Sequence, residues 1–276
     1  MKRTIIAFVL MLCLLLTSCA GNTSSKDSGT TTDGSVNDDP PKPTTYTLKV
    51  GTYNVKHFEG VNHDFSIIAK DITSRKLEIV GLQEIDKLAG RSDGLDEPRL
   101  IAEALGWEYA FASAKGFDGG EYGHCIVSKH PIKSFNVLDL PGAGENRVLG
   151  HAVIDVNGVE INFLNTHLSH EAELSRRLQF EAIAAYVKEL DNFIIVGDFN
   201  TDNFAEYAPI ENAILINNET FALKTFSART PTKSIDNIVV SSPVFTVGRP
   251  KVLNVLHSDH LMVYGDVTFS LEEAEK

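Results

Sequence analysis

Residues 148–168 read VLGHAVIDVNGVEINFLNTHL, two apolar, β-branched runs on either side of Asn157-Gly158. That dipeptide suits a two-residue turn with positive φ at both positions, so the stretch predicts an antiparallel hairpin of 148–156 with 159–168. Outward from it, residues 47–55 alternate apolar and polar side chains, as a half-buried strand does. Residues 78–85, 192–196 and 235–240 are short apolar runs suited to strands buried on both faces. Residues 244–255 and 261–269 have the pattern of a closing antiparallel pair. Helical spacing falls between these runs. Residues 64–76 follow an Asp64 cap and carry Ile67, Ile68 and Ile72. Residues 98–105 start at Pro98 and stop at Gly106. Residues 171–190 carry Leu174, Leu178, Ile183, Val187 and Leu190 as an apolar face. A hairpin among buried runs, with strands outnumbering helices, predicts an α/β domain of the α+β type. Its sheets should be mixed, with helices packed outside, and not doubly wound and parallel.

The chain has 276 residues, enough for one large domain, and shows no internal repeat or second linker. Its first 18 residues stand apart: Lys2 and Arg3 precede an apolar run from Thr4 to Leu16. That is the pattern of a secretory signal, too short for a membrane span. Leu16-Thr17-Ser18-Cys19 resembles the lipobox of bacterial lipoproteins, which implies cleavage before Cys19 and a lipid chain on its sulfur. Residues 19–45 are Ser, Thr, Gly, Asp, Asn and Pro with almost nothing apolar, a composition that predicts a flexible tether ahead of a catalytic domain over 46–276. The expected location is the extracytoplasmic face of a bacterial membrane. With Cys13 in the signal and Cys19 lipidated, only Cys125 remains in the domain, so no disulfide is expected. Cys125 sits in an apolar run and is expected in the core. The net charge of −12 argues against sequence-independent wrapping of a long polyanion, which needs Lys and Arg on the phosphates. It leaves phosphate-ester cleavage open, because divalent cations can invert the local field.

Six polar segments each follow or end an apolar run. They are Thr52-Tyr53-Asn54, Leu82-Gln83-Glu84, Asn165-Thr166-His167, Gly197-Asp198-Phe199-Asn200, Ser234-Ile235-Asp236-Asn237 and Ser258-Asp259-His260. Carboxylates, amides and imidazoles at strand mouths are the means by which a sheet assembles an acidic, metal-dependent hydrolytic site. Asp198 and Asn200 alternate with Phe199, so both point to one face while the ring anchors the other. Together with Arg91-Ser92, residues 119–123, residues 128–131 and Pro231-Thr232-Lys233, these segments resemble the endonuclease/exonuclease/phosphatase superfamily over roughly 46–270. That resemblance implies a DNase I-like four-layer sandwich of two stacked mixed sheets with helices on both outer faces.

The resemblance implies roles as well. Glu84 is the principal ligand of Mg²⁺ or Mn²⁺, with Asn54 beside it and Asp259 near the metal or supporting the site. His260 is a general base, its tautomer held by Asp236. Asp198 orients the attacking water, Asn200 donates to a phosphoryl oxygen, and His167 bonds the phosphate or protonates the leaving oxygen. Arg147 and Arg91 are candidate phosphate clamps, because a guanidinium matches phosphate bidentately. Surface salt bridging is an alternative for either, with Glu145 available to Arg147. His57, His63, His130, His151, His170 and His257 read as ordinary loop or strand residues. The chain departs from the pattern at His124, where relatives usually carry Asn, and at Ser227 and Asn237, which replace Pro and Tyr. The expected activity is metal-dependent hydrolysis of phosphate esters. Nucleic acid is the first substrate class, a phospholipid head group such as sphingomyelin the second, and a sugar or inositol phosphomonoester the third. A non-catalytic surface-binding lipoprotein is the contrasting reading. No protein partner is evident, and a monomer is expected.

Overall fold

A computed structural model describes residues 45–271. The expected signal, Cys19 and almost all of the tether lie outside those residues. In order the elements are β1 (Thr45–Asn54), α1 (Phe65–Ser74), β2 (Ile79–Lys87), α2 (Glu97–Leu105), β3 (Glu108–Phe117), β4 (Gly120–Ser128), β5 (Ile132–Leu140), β6 (Arg147–Val156) and β7 (Val159–His167). They continue with α3 (Glu173–Val187), β8 (Ile194–Asp198), β9 (Ala213–Leu215), β10 (Asp236–Ser241), β11 (Thr246–Val247), β12 (Lys251–Leu253) and β13 (Met262–Ser270). Thr45 already pairs with Ser270, so the first strand begins inside the segment expected as tether.

The strands form two mixed sheets. A seven-stranded sheet runs β11-β13-β1-β2-β4-β3, with β12 also on β13. A six-stranded sheet runs β5-β6-β7-β8-β10-β9. The hairpin turn forms as expected, with Asn157 at φ 56° and Gly158 at φ 89°. Its Asp155 Oδ1 accepts from Gly158 N at 2.8 Å. Between the sheets lies a core of Leu48, Val50, Ile79 and Ile126 against Ile154, Phe163, Val196 and Ile238. Helices α1 and α2 cover the outer face of the first sheet, burying Ile68, Ile72 and Ile101 against Val80, Leu82 and Val127. Helix α3 covers the second, burying Phe180 and Ile183 against Leu149, Leu164 and Ile195. Four layers result, as expected.

Some details differ. Leu174 and Leu178, expected on the buried face of α3, are 59% and 36% exposed. The face is rotated because Ser175 and Gln179 turn inward to satisfy loop amides. Ser175 Oγ accepts from Ala143 N, and Gln179 Oε1 accepts from Ser169 N. The 244–255 run splits into β11 and β12, interrupted at Pro250, which has no N–H to give to β13. Strands β3, β4, β5 and β9 fall outside the expected runs, and in β3 and β5 the alternation is blurred by half-buried and exposed positions.

Buried amides tie the two sheets together beneath the polar strand ends. Gln83 Nε2 donates to Thr52 Oγ1 at 3.0 Å and across the sheets to Asn165 Oδ1 at 2.7 Å. Asn165 Nδ2 returns bonds to Leu82 O and Cys125 O. This crossing needs a close approach, which Gly81 provides: a Cβ there would run into Val196 and Asn165. Gly81→Val should therefore lose about 1–3 kcal/mol of stability through overpacking, measured by urea unfolding.

Candidate active site

Chain direction sets the geometry. Strands β1 and β2 are parallel, with Asn54 beside Gln83, and β7 and β8 are parallel, with His167 beside Asp198. Strand β10 runs antiparallel to β8 and begins at the same level, Asp236 opposite Asp198. Strand β13 runs antiparallel to β1, so the 258–260 loop precedes it at that edge. All six polar segments therefore reach one rim of the sandwich.

Glu84 owes its orientation to a β-bulge. The β2–β4 register shifts between Gln83 and Ile85, and Glu84, the extra residue, has φ 56°. A left-handed Glu is strained, and bulges re-aim side chains next to sites. Its Oε1 accepts from Asn54 Nδ2 at 2.9 Å, and the same nitrogen donates to Asp198 Oδ2 at 3.1 Å. One amide thus bridges carboxylates of the two sheets. Asn54 Oδ1 accepts from Lys56 N, so this residue orients the two carboxylates while its oxygen retains a second lone pair. Among the described residues Glu84 forms no ion pair.

On the other side, Ser258 Oγ donates to Asn54 O at 2.7 Å and fixes the 258–260 loop over the end of β1. His260 Nδ1 lies 3.0 Å from Asp236 Oδ2, and its Nε2 lies 3.5 Å from Asp198 Oδ2. The Phe226 ring packs on the imidazole at 4.8 Å between centroids. His167 Nε2 approaches the same Asp198 Oδ2 at 3.5 Å. Asp198 Oδ1 accepts from Asn200 N, and Asn200, at φ 53°, gives one hydrogen of Nδ2 to Leu168 O at 2.9 Å. Phe199 points the opposite way, stacked on Phe180 at 5.8 Å and 7°.

The charges follow from these contacts. Burial pushes Asp198 up to about 7, partly offset by His260. Burial alone would lower His260, but Asp236 and Asp198 outweigh it and hold the ring up to about 10. The neighbouring carboxylates thus favour the charged imidazole, and burial makes Asp198 hold a proton more readily than usual, so Asp198 stands beside His260 as a second candidate base. His167 is held well below the usual imidazole range by burial and by Arg147 nearby, so it is a neutral hydrogen-bonding group. Of its two expected roles, this favours bonding the phosphate over proton donation.

Asp259 is half-exposed, with Lys56 Nζ 3.7 Å from its Oδ2. Arg147 is buried at the rim, with Nη1 3.1 Å from Glu145 Oε1 and Nη2 3.3 Å from His170 Nδ1. Arg91 is committed elsewhere: its Nε and Nη2 donate to the fully buried Asp86 at 2.6 and 2.8 Å, and its guanidinium lies over Phe117. For Arg91 the salt-bridge alternative describes the geometry. His124 is buried, and burial lowers it to about 4. Asn237 pairs amide-to-backbone with Asn217, a structural use.

Sequence reasoning missed Lys56 and Phe226 beside the site, and the crossing roles of Gln83 and Asn165. Lys56, His57 and Phe58 are all left-handed, at φ 47°, 41° and 54°. No glycine marks that turn, so nothing in the sequence announces that it brings Lys56 back to Asp259.

Asp198, Asp236 and His260 each place one ligand atom within 4.8 Å of the others. His260, however, turns one nitrogen to each carboxylate, and its own charge offsets them. Glu84, which forms no ion pair among the described residues, is joined to Asp198 through Asn54 Nδ2. An oxygen-only donor set of this kind fits a hard divalent cation such as Mg²⁺ or Mn²⁺.

Comparison with known proteins agrees with this architecture. A fold match to an endonuclease/exonuclease/phosphatase family protein of Bacteroides thetaiotaomicron has TM-score 0.69 at 22% identity, covering 82% of this chain and 99% of that one. A mannosyl-6-phosphatase of the same species matches at TM-score 0.66 and 21% identity, covering 80% and 99%. The uncharacterized protein YbhP of Escherichia coli is 24% identical over 178 residues, 58% of this chain and 70% of its own. Residues 51–260 match the model of the Endonuclease/Exonuclease/phosphatase family, to which this chain belongs.

Proposed function

We propose that the protein is a hydrolase of phosphate esters, dependent on Mg²⁺ or Mn²⁺, with phosphodiesters as its first substrate class. The observation that carries this is the unbroken run of contacts Glu84–Asn54–Asp198–His260–Asp236, with His167 on the same Asp198 oxygen. A divalent cation at Glu84 would polarise the phosphoryl group and offset its negative charge. Asp198 accepts the proton of the attacking water. His260, charged and held by Asp236, donates to a phosphoryl oxygen, as do neutral His167 and the second hydrogen of Asn200 Nδ2. Arg147 adds positive charge at the rim. A non-reacting surface protein of this family would be expected to have lost at least one of these groups, and all are present.

Hydrolysis of bis-p-nitrophenyl phosphate should be abolished by EDTA and restored by Mg²⁺ or Mn²⁺; undiminished turnover in chelator would remove the metal. Parallel assays on plasmid DNA, RNA, sphingomyelin and a sugar phosphate rank the substrate classes. A phosphomonoester stays in that set because a fold relative is named a mannosyl-6-phosphatase, while another is a TDP2 of D. rerio complexed with single-strand DNA product. The match to TDP2 has TM-score 0.64 at 16% identity and covers 80% of this chain. We further propose that Cys19 is lipidated and holds the enzyme on the outer face of a bacterial membrane, on the strength of Leu16-Thr17-Ser18-Cys19 after an apolar run. Cys19→Ser should abolish incorporation of labelled palmitate and move the protein to the soluble fraction.

A further inference from the structure

Behind His167 lies a cavity of about 10 Å³, lined by Tyr122, Gly123, His124, Arg147, Val148 and His167. Three of those residues carry a buried polar atom without a protein partner: Arg147 Nε, His124 Nδ1 and His167 Nδ1. Their hydrogen inventory can be assigned. His124 Nε2 is 3.1 Å from Val148 O, and a carbonyl only accepts, so that nitrogen carries the proton and Nδ1 is an acceptor. His167 Nε2 faces the Asp198 carboxylate at 3.5 Å, so its proton belongs there and its Nδ1 is also an acceptor. Arg147 Nε is a donor by necessity.

One donor and two acceptors around a space of one water's size form a complete set. We propose that this cavity binds a single structural water, which accepts from Arg147 Nε–H and donates to His124 Nδ1 and His167 Nδ1. His124 is then a positioning residue. By holding the water, it fixes His167 in the tautomer whose Nε2–H points to the reaction centre, and it braces Arg147. This gives a physical role to His124, and an Asn side chain also offers an acceptor that could serve there. Gly150 makes the ring's place possible, since a Cβ there would press on His124 Cε1 at 3.3 Å.

The water and the tautomer are properties of the resting protein, and only the kinetic part rests on the hydrolase reading. A crystal structure of the domain at about 1.5 Å should show one water within hydrogen-bond reach of all three atoms. Long-range ¹H–¹⁵N spectra should show His124 and His167 as neutral Nε2–H tautomers. His124→Phe, which removes the acceptor, should disturb the His167 tautomer and lower kcat/KM by about 10- to 100-fold, with metal affinity unchanged. His124→Asn should restore both. A dry cavity, a His167 protonated on Nδ1, or a His124→Phe protein with unaltered tautomer and rate would each overturn the proposal. If that variant does not fold, the crystal structure and spectra of the natural protein decide it.

Discussion

Asp198→Asn is expected to lower turnover of a phosphodiester by roughly 10²- to 10⁴-fold, the range associated with loss of a general base. The amide is nearly isosteric and can still accept from Asn200 N, but its nitrogen then faces the donors that Oδ2 serves, so urea unfolding of the variant is measured beside its rate. The pH dependence makes the test sharper. Asp198 sits near 7, so activity should rise with pH as it ionises, and His260 near 10 should bring activity down again as it loses its proton. In metal-saturated buffer the kcat/KM profile should be a bell with those two limbs. Asp198→Asn should abolish the lower limb, whereas His260→Gln should remove the upper limb and about 10²-fold of rate. The opposite assignment, with the lower limb vanishing in His260→Gln, would return the role of base to His260.

Glu84→Gln is the second large effect. The amide keeps the volume but removes the charge of a carboxylate that, among the described residues, forms no ion pair. Affinity for Mg²⁺ or Mn²⁺ measured by calorimetry should fall by a factor of at least about 10, and turnover at ordinary metal concentration by roughly 10². Raising the metal should recover part of the rate. Unchanged metal affinity would move the cation to Asp198, Asp236 and His260, the other group of closely spaced ligand atoms. Asp259 supplies a control, since its neighbour Lys56 already offsets its charge and its replacement should cost less.

Corrections to the sequence reading concern direction and pairing. Leu174 and Leu178 have the right spacing for a buried face, yet the loop amides of Ala143 and Ser169 draw Ser175 and Gln179 inward instead. Arg91 has the right chemistry for a phosphate clamp, yet Asp86, five residues away, takes its Nε–Nη2 edge. In each case a hydrogen bond to a group beyond the local repeat outweighs the pattern.

What the sequence determined alone was the identity of the strands that carry the site and the residues at their ends. Alternation, turn dipeptides and caps are local, and a polar residue ending an apolar run is visible without knowing what it faces. What tertiary structure decided was aim and charge. The Gln83–Ile85 bulge turns Glu84 toward Asn54, and the meeting of β8, β10 and the 258–260 loop puts two carboxylates around His260. Proton affinity depends on fields from groups many residues apart and on burial that only packed sheets create, so no reading of spacing could give the upward shifts of Asp198 and His260.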